Sequence, residues 1–211
     1  MAHAAEHAIE ETTTGLNHRK MLMWIFLGSD CMFFAALVAT YMVYRGQSIT
    51  GPYPIDIIDV PITTISTFVL LCSSFAMVQA LAATNRDDQR GIRIWLLATA
   101  VLGAIFIGFQ IYEFNHFKNL GLTLGTNLFG ATFFTLTGFH GAHVTVGIIW
   151  LLGMLVVAMK GRLGPASSLD VELVGLYWHF VDIVWIIIFT LLYLIACLLY
   201  TSPSPRDLST S

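Results

Sequence analysis

Five runs of apolar residues, each long enough to cross a bilayer, govern what this chain can fold into. They fall at about 21–44, 61–83, 92–114, 128–159 and 171–200. In hydrocarbon every backbone N–H and C=O must be satisfied within the protein, so such runs fold as helices of about 20 residues or more. The breaks between them carry turn chemistry: RGQSITGPYPIDIID, TNRDDQRG, NHFKNLGLTLGT and KGRLGPASSLD. Pro61 suits the first turn of the second helix, where its missing N–H costs nothing. The fourth and fifth runs exceed a straight crossing, which predicts tilt or extension beyond the membrane. Composition excludes a soluble domain: 56% of the residues are hydrophobic and 11% charged, against about 25% charged in soluble domains. The fold class expected is an all-α membrane protein, a bundle of five transmembrane helices.

Lys and Arg set the expected orientation. Arg19, Lys20, Arg86, Arg90, Arg93, Lys160 and Arg162 share one side, and Arg45, Lys118 and Arg206 the other. This predicts a cytoplasmic N-terminus and a C-terminus outside. Residues 1–20 form a polar tail without the apolar stretch of a secretory signal peptide, so the first span is expected to direct insertion. Residues 21–196 form the transmembrane domain. The tail 197–211, CLLYTSPSPRDLSTS, changes character abruptly, and its first part resembles the translation of a sequencing-library adapter. It is expected to be an artefact, with an ordinary Ser/Pro tail as the alternative. A net charge of −3 gives no basic surface for nucleic acid. Cys31, Cys72 and Cys197 are scattered through apolar runs and read as small buried hydrophobes.

Ionisable side chains inside spans are rare and face a bundle interior, a partner or a water path. Here they are Asp30 in the first span, Glu113 at the end of the third, His140 and His143 in the fourth, and His179 and Asp182 in the fifth. His140 and His143 are three apart and share a helix face, as do His179 and Asp182. A histidine with a carboxylate three residues on, as at 179 and 182, either bonds it within the helix or presents both to a neighbour. Gly138, Gly141 and Gly147 surround the first pair and let another backbone approach. The fourth span is therefore expected at the centre, its histidines reaching Glu113, His179 or Asp182. Gln79 and Tyr112 read as packing and interface anchors. Three roles remain open for the polar set: a metal or haem site, a proton path, or buried contacts that lock helices in register.

TGFHGAHVTVGIIWL (137–151) and YWHFVDIVWIIIF (177–189) resemble the two signature segments of haem–copper oxidase subunit III. FQIYEF (109–114) and LGSDCMFFAAL (27–37) are similar to two further segments of that family, in the same order, over about residues 20–196. The resemblance implies a core accessory subunit of a bacterial terminal oxidase in the plasma membrane, with no catalytic residue and no metal of its own. Haems and copper would lie in the partner subunits, with subunit I the main contact and subunit II in the same complex. The assembly would reduce oxygen to water and pump protons. Glu113, His140, His143, His179 and Asp182 would then be structural polar contacts. Asp30 matches the family's buried acid, associated with the proton-uptake side and with phospholipid held against subunit I. It lies roughly 15 Å into its span at 1.5 Å per residue. The family more often carries Glu there, and longer members have seven spans. Cytochrome c is the expected electron donor, with ubiquinol the alternative. Rivals are a freestanding transporter or haem-binding protein, and an accessory protein of a nitric oxide reductase.

Overall fold

The computed structural model describes residues 17–44 and 60–195. Both expected tails lie largely or wholly outside those residues. Five long helices follow in order: α1 (His18–Tyr44), α2 (Val60–Asn85), α3 (Gln89–Asn119), α4 (Leu128–Met159) and α5 (Ser168–Phe189). A 3-10 turn, Pro165–Ser167, leads into α5, and a π turn, Thr190–Leu194, continues it. No strand occurs among the described residues. All five are long and apolar enough to cross a membrane. α1, α3 and α5 run one way and α2 and α4 the other, so α1, α3 and α5 begin at one end of the bundle.

The helix limits follow from local chemistry. Pro61 sits in the first turn of α2, as its sequence position predicts. α3 and α4 end on glycines with positive φ, Gly121 (88°) and Gly161 (67°). Beyond them Leu122 N–H donates to the Phe117 carbonyl and Arg162 N–H to that of Val157, which satisfies carbonyls the helix ends would leave open. α2 ends the same way on Asp87, at φ 57°. Asn127 caps α4 by accepting from Gly130 N–H at 2.7 Å. At 31 and 32 residues, α3 and α4 are about 47 Å long, well beyond a hydrocarbon core of about 30 Å.

α5, rather than the expected fourth span, occupies the centre. Of its most apolar stretch 61% is buried, against 28% for α4 and 17% for α1. The glycines of the fourth span do admit a close neighbour, but that neighbour is a ring of α5. A Cβ on Gly147 would lie 2.9 Å from the Trp178 ring, and one on Gly103 of α3 2.5 Å from it. Two indoles then tie α5 to α2. Trp178 Nε1–H donates to Ser73 Oγ at 3.0 Å, and Trp185 Nε1–H to Thr67 Oγ1 at 2.9 Å. At the bundle end where α1 and α5 begin, Arg19 pairs with Asp170 and Lys20 with Glu172, each at 2.5 Å.

Gly103→Ala and Gly147→Ala should therefore push Trp178 off its bond to Ser73. Overpacking of this kind costs about 1–3 kcal/mol. The measurement is the unfolding midpoint in mixed detergent micelles, with Gly153→Ala, where a Cβ meets nothing within 4 Å, as the silent control. Midpoints equal to that control would remove the steric account.

Candidate functional site

Most of the ionisable groups picked out in the spans lie near mid-depth, but they do not converge. Asp30 of α1 faces His143 of α4, Oδ2 to Nε2 at 3.7 Å, with side chains 16% and 21% exposed. The other imidazole nitrogen, Nδ1, is 2.7 Å from the Phe139 carbonyl. A carbonyl only accepts, so Nδ1 carries a proton. In a neutral ring Nε2 is then a bare acceptor facing a carboxylate. The two stand 3.7 Å apart, longer than a hydrogen bond, and Asp30 Oδ2 has no hydrogen-bond partner among the described residues. Ser29, a possible neighbour for the acid, instead donates to the Phe26 carbonyl at 2.7 Å. The ring of Phe34 meets the His143 imidazole edge-on at 5.0 Å, and Tyr177 O–H donates to the His143 carbonyl at 3.0 Å.

His140 is fully buried and turns the other way. Its Nε2–H donates to the Val181 carbonyl of α5 at 3.2 Å, and its ring lies against Trp185 at 4.9 Å and Phe106 at 5.9 Å. The expected reach of this histidine pair to Glu113, His179 or Asp182 is thus not what forms. His140 takes a backbone carbonyl and His143 takes Asp30, because the two rings project to opposite sides of α4's contact with α5.

His179 and Asp182 share a face of α5 and do not bond each other. His179 Nδ1 is 2.6 Å from Ser74 Oγ of α2. Asp182, 4% exposed, lies beside the same serine, and neither carboxyl oxygen has a hydrogen-bond partner. Glu113 sits apart, toward the bundle end where α1, α3 and α5 finish. Thr63 O–H donates to its Oε1 at 2.9 Å, and Tyr193 of the π turn hydrogen-bonds the same carboxylate.

Several contacts had no forecast in the sequence. Gln110 Nε2–H donates to the Thr137 carbonyl at 2.7 Å, bridging α3 to α4. Gly141 makes this possible, since a Cβ there would lie 2.7 Å from Gln110 Oε1. The available signal was the small residues at 138 and 141 opposite an amide inside a span. Cys31 is exposed and Cys72 half-buried, so neither is the buried hydrophobe expected; Cys197 lies outside the described residues. An apolar cleft of about 310 Å³ runs between α1 and α5, lined by Phe34, Ala35, Val38, Ala39, Val184 and Cys31 among others. Among the described residues no three His, Cys, Asp or Glu side chains gather where they could hold a metal. His143 Nδ1, His140 Nε2 and His179 Nδ1 are given to Phe139, Val181 and Ser74, while His140 Nδ1 is buried without a hydrogen-bond partner.

These features define a multi-pass membrane subunit whose intramembrane polar groups join helices. The chain matches the family model for cytochrome c oxidase subunit III over residues 4–197. It is 43% identical over 171 residues to the quinol oxidase subunit 3 of Bacillus spizizenii, covering 81% of this chain and 84% of that one. It is 36% identical over 197 residues to a probable quinol oxidase subunit 3 of Staphylococcus saprophyticus (92% and 97% covered). To the cytochrome c oxidase subunit 3 of Thermostichus vulcanus it is 37% identical over 193 residues (91% and 92% covered). The chain belongs to the cytochrome c oxidase subunit III family. It is a multi-pass protein of the bacterial plasma membrane and a subunit of a terminal oxidase complex.

A double-mutant cycle on Asp30 and His143 reports their contact. Asp30→Leu and His143→Leu should each lower the unfolding midpoint, and the double variant should cost less than the sum, by about 0.6–2 kcal/mol. Asp30→Asn, whose amide N–H can meet Nε2, should recover most of the loss. Additive single costs would mean that the two side chains do not touch.

Proposed function

We propose that this chain is subunit III of a quinol-oxidising terminal oxidase, packed against subunit I with subunit II in the same complex. It carries no redox centre of its own. The observation that carries the donor is the naming of its relatives: the 43%-identical protein is named a quinol oxidase subunit, and one covered over 97% of its length is named a probable quinol oxidase subunit. This favours the alternative over cytochrome c, which the sequence had put first. The N-terminus faces the cytoplasm in this reading, supported by the seven cationic residues on that side. The family's general activity supports oxygen reduction with proton pumping in the partner subunits. The cleft between α1 and α5, apolar and open to the bundle surface, suits a phospholipid acyl chain.

Asp30 acts indirectly. With His143 it keeps one exchangeable proton at mid-depth, in a pair still partly exposed on the bundle surface. From there it supports proton supply to subunit I and keeps that subunit's site intact through many turnovers. His140, His179, Asp182 and Glu113 are contacts between helices.

Oxygen uptake by the purified complex should be driven by a soluble quinol analogue and not by reduced cytochrome c. The reverse preference would overturn the donor. In reconstituted vesicles Asp30→Asn should leave assembly and the initial rate of oxygen reduction intact, with proton release or turnover lifetime modestly lowered. A fully assembled Asn variant with no activity from the first turnover would make Asp30 an obligate proton carrier.

A further inference from the structure

The seam between α2 and α5 holds a polar group that is only half covered by the described residues. His179 is half-buried and lies 11 residues beyond Ser168, the first residue of α5, or about 17 Å along the helix. That is near the middle of a hydrocarbon core of about 30 Å. Nδ1 is tied inward to Ser74 at 2.6 Å. The two ring nitrogens lie on opposite edges of the imidazole, so Nε2 faces away from Ser74 and makes no hydrogen bond among the described residues. Around it the surface is apolar and exposed: Leu71, Phe75 and Val78 on α2, Ile183 and Ile186 on α5. Lipid tails carry no hydrogen-bonding group and water does not reach this depth, so an imidazole edge there requires protein.

A second observation lies behind it. Asp182 is 4% exposed, both its oxygens lack partners, and it sits beside the same serine. In the contact between Ser74 and Nδ1 either group can be the donor. If Nδ1–H donates to Ser74, Nε2 is a bare acceptor. If the Ser74 hydroxyl donates to Nδ1, Nε2–H is a donor. The group that meets Nε2 must serve both states. A hydroxyl or an amide does, being donor and acceptor at once; an ammonium or a carboxylate serves only one.

We propose that the α2–α5 seam at His179 is the docking point for a transmembrane helix of a partner oxidase subunit, which presents a hydroxyl or amide side chain at mid-membrane depth to Nε2. This rests on the reading of the chain as a subunit of an assembled oxidase, and it names the face that the assembly uses. Leu71, Phe75, Val78, Ile183 and Ile186 supply the apolar contact around the polar point. The Ser74–His179 contact, which can run in either direction, makes that point adjustable rather than fixed.

The test uses the whole complex in its membrane. A photo-crosslinking amino acid replaces Ile183, one turn from His179, and in a control Ile149, exposed on α4. Position 183 should give adducts with an oxidase subunit and position 149 should not. His179→Asn keeps an amide nitrogen where Nδ1 was, so the inner bond to Ser74 survives and the outer one is lost. It should leave helical content unchanged and weaken retention of this chain through detergent washes by about three- to tenfold, the equivalent of one interhelical polar contact. Adducts from 183 to lipid alone, or to a second copy of this chain, in a complex that still oxidises quinol would overturn the docking face and leave the functional reading standing. A chain that co-purifies with no oxidase subunit would remove both.

Discussion

Every polar atom that α5 carries into the membrane has to be met by a neighbouring helix, and the bundle is arranged around that requirement. Lipid tails are as apolar as the side chains, so helices in a bilayer associate through close packing and hydrogen bonds rather than by escaping water. α5 supplies both. Trp178 and Trp185 are seven residues apart, two turns of one face, and reach Ser73 and Thr67 of α2. Tyr177 and the Val181 carbonyl engage α4, and Tyr193 engages Glu113 of α3. Ion pairs from Arg19 and Lys20 hold α1 at one end. The space that Trp178 fills exists because Gly103 and Gly147 lack side chains. Lose that fit and the indole cannot reach Ser73.

Two acids at similar depth solve the same problem differently. An ionised carboxylate at a helix centre costs about 2.5–3.5 kcal/mol to insert, and more where no relief is available. Asp30 of α1 faces the His143 imidazole of α4 at 3.7 Å, in a site still partly open to the bundle surface. Asp182 is sealed between α5 and α2 beside Ser74, at 4% exposure. The first acid is relieved by an aromatic base and by partial exposure; the second relies on the helix seam around it.

The spans were legible because hydrocarbon imposes a length and a composition on each helix. Residues 128–159 match α4 to the residue. The limits of α3 were placed too far inward, since QRG and FNHFKN look like loop while forming helical turns that project toward water. The polar residues were legible as ionisable groups inside spans, but not their partners. Spacing of three puts His140 and His143 on one face, yet the structure sends them to different helices, because the angle between two such side chains is enough to straddle a helix contact. Glycines around the histidines suggested that α4 was the centre. They mark where a large ring arrives, and sequence alone does not say that the ring belongs to α5. Gln110 had no forecast for a similar reason: its partner is a backbone carbonyl, which every residue has.

The donor follows the same physics. What made the chain recognisable is the set of side chains that join its helices, and these serve any oxidase that needs the bundle. Relatives named for quinol and for cytochrome c are both similar over more than four-fifths of the chain, at 43% and 37% identity. A subunit whose polar groups are spent on its own packing has little with which to meet the electron donor. Similarity along this chain therefore tracks the architecture first, and the proposed donor rests on the difference in identity between the two sets of relatives. Discrimination between donors is expected to lie in the subunits that touch them. The residues of this chain that distinguish one oxidase from another should then be sought on its outward faces, such as the row beside His179, where the partner differs, and not in the buried layer, where the task is the same in every member.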